Sequence, residues 1–156
     1  MSGPRERNPL PIVERGAGNP VDARAAVKGG LRDIDDADLH DLLVAFYDTV
    51  AGEPLLAPYF AVVDMQAHMP RIVDFWSTLL YHTGRYSGNA FRPHLEMPGL
   101  TGEHFARWLA VLERTVDARF AGPVAERMKA MGHRIAYSMQ VRLGITPFEE
   151  YRPDLP

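Results

Sequence analysis

Apolar residues recur at helical spacing in four separate stretches of the chain, and nowhere do they alternate with polar ones as a half-buried strand would. The first stretch follows Asp33 and Asp35, either of which can cap a helix. It carries Leu39, Leu42, Leu43, Phe46, Tyr47 and Val50 before Gly52 closes it. Pro54 to Phe60 then reads as a tight turn or a single helical turn that delivers Tyr59 and Phe60 inward. In the second stretch, Asp64 to Tyr81, residues His68, Ile72, Phe75, Trp76, Leu79 and Leu80 share one face. Pro70 is tolerated only in an opening turn, so the pattern predicts a helix that starts close to His68. Thr83 to Ala90, with Gly84, Gly88 and Asn89, is a loop feeding the short piece Phe91 to Leu95. After Pro98-Gly99, Thr101 caps a third helix with Phe105, Trp108, Leu109, Leu112, Val116 and Phe120 on one stripe. Gly122-Pro123 ends it and opens a fourth, in which Val124, Met128, Met131, Ile135, Met139 and Leu143 repeat every three or four residues.

The expectation is an all-α domain over residues 33–144, with four main helices and no internal repeat. Residues 1–32 hold four prolines and five glycines without an apolar period and read as a flexible N-terminal extension, and 145–156 as a proline-bearing C-terminal tail. At 156 residues, 46% of them hydrophobic, the chain is one domain with enough core to enclose a cofactor. A net charge of -3 and a pI near 6.0 supply no basic stripe for a phosphate backbone, which argues against nucleic acid. The absence of cysteine removes disulfides, thiolate haem ligation, iron–sulfur clusters and cysteine-based zinc sites together. No apolar run approaches the roughly 18 residues of a membrane span. The charged, proline-bearing N-terminus does not read as a signal peptide, so a soluble cytoplasmic protein is expected.

The chemistry lies in His68 and His94, 26 residues apart, with Tyr47 and Trp108 on flanking helical patterns: two histidines that could face each other across a flat cofactor. His40, His68, His82, His94, His104 and His133 show no HxxxH or HxxE clustering, which makes structural zinc a poor fit. Haem asks for less, because its four equatorial nitrogens come with it and the protein need supply one neutral imidazole. Trp76 stands about 12 Å along its helix from His68, so a single apolar face spans much of a porphyrin. Arg71, one turn past His68, is placed to reach a propionate, and Arg92 and His82 are further candidates. Phe46, Phe60, Ile72 and Phe105 can pave the walls. His40, His104 and His133 read as surface residues, and Met128, Met131 and Met139 as adaptable core filler.

These residues resemble a known family, the truncated haemoglobins, and within it the group III subfamily. The resemblance covers about residues 38 to 144. It rests on Phe46-Tyr47, Pro54-Leu-Leu-Ala-Pro-Tyr-Phe60, His68-Met-Pro-Arg-Ile72, Asp74-Phe-Trp76, Thr83-Gly-Arg-Tyr-Ser-Gly-Asn89, Phe91 with His94, His104-Phe105 and Trp108-Leu109. It implies a two-over-two helical sandwich around haem b (iron protoporphyrin IX), with His94 as proximal iron ligand and a polar distal face made by Tyr47, His68 and Trp108. Trp76 and Phe60 match pocket-wall positions. His68 can meet the bound ligand, act as a gate or face solvent. The resemblance further implies binding of oxygen, nitric oxide and carbon monoxide. Donors over a ligand that carries negative charge predict slow release, unsuited to transport. Redox chemistry of the nitric oxide dioxygenase or peroxidase kind is therefore expected. The alternative is a non-enzymatic carrier or sensor of a diatomic gas or sulfide. The residues after Leu143 are too few for a flavin or nicotinamide domain, so a separate reductase is expected as partner.

Overall fold

The computed structural model describes residues 30–145; the segments 1–29 and 146–156, which hold most of the expected extension and tail, lie outside the described residues. Every regular element among the described residues is helical, and five α-helices are formed. They are α1 (Leu39–Gly52), α2 (Ala57–Phe60), α3 (Met65–Tyr81), α4 (Gly102–Asp117) and α5 (Pro123–Arg142). Short 3₁₀ turns precede α1 (Asp36–Asp38) and follow the α3 loop (Arg92–Glu96). α1 packs on α3 and α4 on α5, and the two pairs meet where α1 lies against α4 and α3 against α5. This is the two-over-two arrangement that the resemblance implies.

The stripes that the apolar spacing predicts are the ones that pack. Leu39, Leu42, Leu43, Phe46 and Val50 of α1 are buried against Leu112 and Val116 of α4 and Trp76 and Leu80 of α3. On α5 the buried stripe is shifted by one position from the expected one: Val124, Met128, Gly132, Ala136 and Gln140 face inward, while Met131, Ile135 and Met139 are half-buried. The reason is a close helix approach. A Cβ at Gly132 would stand 2.5 Å from Leu112 Cδ2, so the small residues mark the α4 contact and the larger ones flank it.

Helix α3 begins three residues before His68, which corrects the expected start. Asp64 caps it by accepting the Ala67 backbone N–H at 3.2 Å, and Pro70 lies inside the helix. The hydrogen bond Pro70 cannot make would have gone to the Gln66 carbonyl. Both residues are exposed, so water can serve that group.

Asp33 does not cap the first helix. Its carboxylate, 3% exposed, accepts backbone N–H groups from Ile34 (2.9 Å), Val124 (2.8 Å) and Ala125 (2.9 Å), and so caps α5 from 91 positions away. Gly122 lies so close that a Cβ there would stand 2.5 Å from Asp33 Cγ, and its φ of 143° also favours glycine. Arg32 joins the same anchor: its carbonyl accepts the Ala121 N–H at 3.0 Å, and its guanidinium holds Asp38 at 2.6 Å and lies 5.3 Å from the Phe120 ring. The packed body of the chain therefore already includes Arg32.

Candidate functional site

The two helix pairs, α2 and the segment after α3 enclose one cavity of about 440 Å³, within the range usual for small-molecule sites. Tyr47, Phe60, His68, Arg71, Ile72, Trp76, His94, Phe105 and Trp108 all line it, brought there from α1, α2, α3, the second 3₁₀ turn and α4. Tyr59, Phe75, Tyr86, Asn89, His104, Ile135 and Met139 complete much of the wall.

Four of the expected contacts are not in the wall. Phe46 is fully buried behind it, its ring 4.7 Å from that of Tyr47 and 5.5 Å from that of Trp108, so it buttresses two lining residues. Phe91 turns to a neighbouring groove, where the Arg142 guanidinium lies 5.1 Å from its ring. Arg92 is exposed on the 3₁₀ turn and His82 is exposed at the left-handed cap of α3, and neither reaches the cavity.

Three histidines share the cavity, and their hydrogen bonds set them apart. His94 Nδ1 is 2.8 Å from the Ala90 carbonyl. A carbonyl only accepts, so Nδ1 carries the proton and Nε2 keeps its lone pair. Burial pushes the His94 pKa below the ordinary histidine value, with the Ala90 hydrogen bond opposing. The ring is therefore neutral at neutral pH and has one free nitrogen, which is the state a metal requires. His104, expected at the surface, is half-buried on the cavity wall, its ring 5.4 Å from that of Tyr59. Its Nδ1 accepts the Thr101 backbone N–H at 3.0 Å and so fastens the start of α4. That bond puts the proton of the neutral ring on Nε2, so His104 has no lone pair to offer while the cap is made. His68 lines the cavity yet is exposed, which places it at the rim.

Tyr47 brings a phenol to the largely apolar wall. Burial pushes its phenol up to about 12, and a hydrogen bond with Trp108 pulls the other way. An indole N–H can only donate, so that bond runs to the phenolic oxygen and leaves the Tyr47 proton available to the cavity. Arg71 is exposed at the cavity edge, 6.0 Å from the Tyr86 ring, and has no carboxylate partner among the described residues. No group of metal-binding side chains occurs among the described residues, so an iron here would depend on equatorial donors from a cofactor. No helix among them is long and apolar enough to cross a membrane.

The architecture and this enclosed pocket define an α-helical protein of the truncated-globin fold. The comparison with known proteins then narrows the class. The chain is similar to the group 3 truncated haemoglobin Ctb of Campylobacter jejuni, with 27% identity over 90 residues, spanning 54% of this chain and 71% of that one. It is also similar to the crystal structure of a group III truncated haemoglobin from Campylobacter jejuni, with a TM-score of 0.64, 25% identity, and coverage of 70% of this chain and 91% of the other. Sequence and fold agree on the group III truncated haemoglobins as the proteins this chain resembles. No family profile matches the sequence.

Tyr86, Asn89 and His104 are polar lining residues that the reading of the sequence missed, and Ile135 and Met139 are apolar ones. Tyr86 and Asn89 lie in a glycine-bearing loop whose sequence carries no period from which a direction could be read. The signal for His104 was available in its placing: it stands four residues before Trp108, one helical turn away on the same face.

Proposed function

We propose that this chain is a haem b protein of the truncated-globin type that binds oxygen, nitric oxide and carbon monoxide and performs redox chemistry on the ligand, either nitric oxide detoxification or activation of peroxide or oxygen. The observation that carries this reading is His94, a neutral imidazole with its Nε2 free, in the wall of a cavity that is otherwise mostly aromatic and aliphatic. When bound, haem supplies an iron with a vacant coordination position at which diatomic molecules bind and exchange electrons.

The residues present fit such a group. His94 would hold it through Nε2, Phe60, Ile72, Trp76 and Phe105 would cover its flat faces and edges, and Arg71 is the cation nearest the mouth for a propionate. Tyr47 keeps its proton far above neutral pH, and its phenol lines the cavity, where it could donate to a bound ligand. A donor of this kind favours a ligand atom that carries negative charge by about 1.5 to 3 kcal/mol. Such retention suits chemistry on the ligand better than its delivery. His68, at the rim, is the side chain a ligand meets on entry.

On this reading the haem domain corresponds to the expected residues 33–144 together with Arg32, segments on either side flank it, and the protein works in the cytoplasm with electrons from a separate reductase. The test is to mix the reduced protein in air with nitric oxide, and separately with peroxide and a phenolic reductant. Nitrate forming in proportion to an added electron donor, or phenol oxidation that requires the protein, is expected. Gas binding with neither product would leave a carrier or sensor and overturn the redox assignment.

A further inference from the structure

Beside the cavity runs a second, open groove of about 330 Å³, with Phe75, Tyr86, Asn89, Ala90, Ile135 and Met139 common to the walls of both. Helix α5 contributes Arg134, Ser138 and Arg142 to it, four residues apart and hence on one side of the helix. Across from them stands Phe91, whose ring is 5.1 Å from the Arg142 guanidinium, a stacking distance that holds this cation beside the aromatic face. In a chain of net charge -3, Arg32, Arg85, Arg107 and Arg114 are all paired with carboxylates. Arg134 and Arg142 have no carboxylate partner among the described residues, although both line the same concave surface. Two uncompensated guanidiniums, a hydroxyl, and an aromatic ring beside the aliphatic Ile135 and Met139 make up a polar end and an apolar end at a single site.

We propose that this groove binds a small aromatic carboxylic acid. Its carboxylate meets Arg134, Arg142 and Ser138, and its ring lies against Phe91 and Met139. Guanidinium groups present paired N–H donors that match the two oxygens of a carboxylate, and the apolar end gives a ring somewhere to leave water. The polar end of the site, Arg134, Ser138 and Arg142, lies outside the wall of the cofactor cavity, while Met139 belongs to both walls.

Benzoate is the probe, titrated by calorimetry and by the Nε–H resonances of the arginines into the full chain as purified. Saturable one-site binding in the millimolar range or tighter is expected, with the neutral isostere benzamide binding far more weakly. The double substitution R134Q/R142Q should weaken benzoate by about tenfold or more, and its thermal unfolding, measured alongside, should match the wild type because both side chains are exposed. Absence of saturation, or equal affinity in R134Q/R142Q, would overturn the proposal. So would binding that appears only when the chain is loaded with the dimethyl ester of haem, since the two cations would then be committed to the cofactor's own carboxylates. A chain that took up no haem would leave the benzoate result intact, so the two readings fail separately.

Discussion

Replacing Asp33 by asparagine keeps the size of a buried side chain while removing its charge and one of its two acceptors. In the folded chain Oδ1 accepts from Ile34 and Ala125 and Oδ2 from Val124. The new amide nitrogen therefore goes to the Oδ2 position, where only one bond is lost. A hydrogen bond to a charged group is worth about 1.5 to 3 kcal/mol, and the negative charge at the start of α5 adds about 0.3 to 1 kcal/mol more. Asp33→Asn should thus cost about 2 to 4 kcal/mol. Asp33→Ala leaves all three donors without this partner, two of them at the buried start of a 20-residue helix, at about 1 to 3 kcal/mol for each donor left buried and unpaired. The loss should then reach about 3 to 9 kcal/mol. The assay is urea unfolding followed by far-ultraviolet circular dichroism, with all three proteins at equal cofactor loading because a bound group shifts apparent stability. Thermal midpoints should fall by about 2 to 4 °C per kcal/mol. An Asp33→Asn protein within 0.5 kcal/mol of wild type, or one less stable than Asp33→Ala, would refute the long-range cap.

Tyr47→Phe should speed oxygen release by about ten- to a hundredfold, the loss of one charge-assisted donor; an unchanged stopped-flow rate would remove Tyr47 from the ligand's surroundings. Gly132→Ala should destabilise by about 1 to 3 kcal/mol through overpacking against Leu112, and a neutral result in the same urea assay would mean that Leu112 moves aside freely. In alkali, the unfolded chain loses the Tyr47 proton near pH 10 while the folded chain keeps it to about 12. Its contribution to stability is therefore full below pH 10 and falls as pH rises toward 12, by about 1.4 kcal/mol per pH unit. Tyr47→Phe should flatten that decline, and identical alkaline slopes would contradict the raised phenol.

The helices were legible because burial imposes a period, and Gly52, Thr101 and Gly122-Pro123 punctuate that period cleanly. What the period cannot do is separate two apolar destinations. Ile135 and Met139 read as core and stand in the cavity wall, because a side chain facing a greasy pocket obeys the same spacing as one facing another helix. The one-position shift on α5 has a related cause, since Gly132 and Ala136 are poor markers of burial by size yet allow the closest helix contact. Pro70 pulled the predicted start of α3 inward because a proline is judged by the hydrogen bond it loses, and here that loss falls on an exposed turn. Asp33 was read locally, as a cap for the next helix in the chain, whereas its partners lie 91 and 92 positions away. Among the site residues, Tyr47, Trp108 and His94 stood out by residue type. Phe46 and Phe91 shared that type but face elsewhere, a distinction that only packing reveals.

The assignment of His94, and not His104, as the imidazole that would hold haem is tested most directly by optical spectra of purified wild-type, His94→Ala and His104→Ala proteins after addition of haem. The account predicts a strong Soret band in the wild type, retained in His104→Ala and lost or displaced in His94→Ala. A wild type that takes up no haem, or a His94→Ala protein whose spectrum matches the wild type, would contradict it.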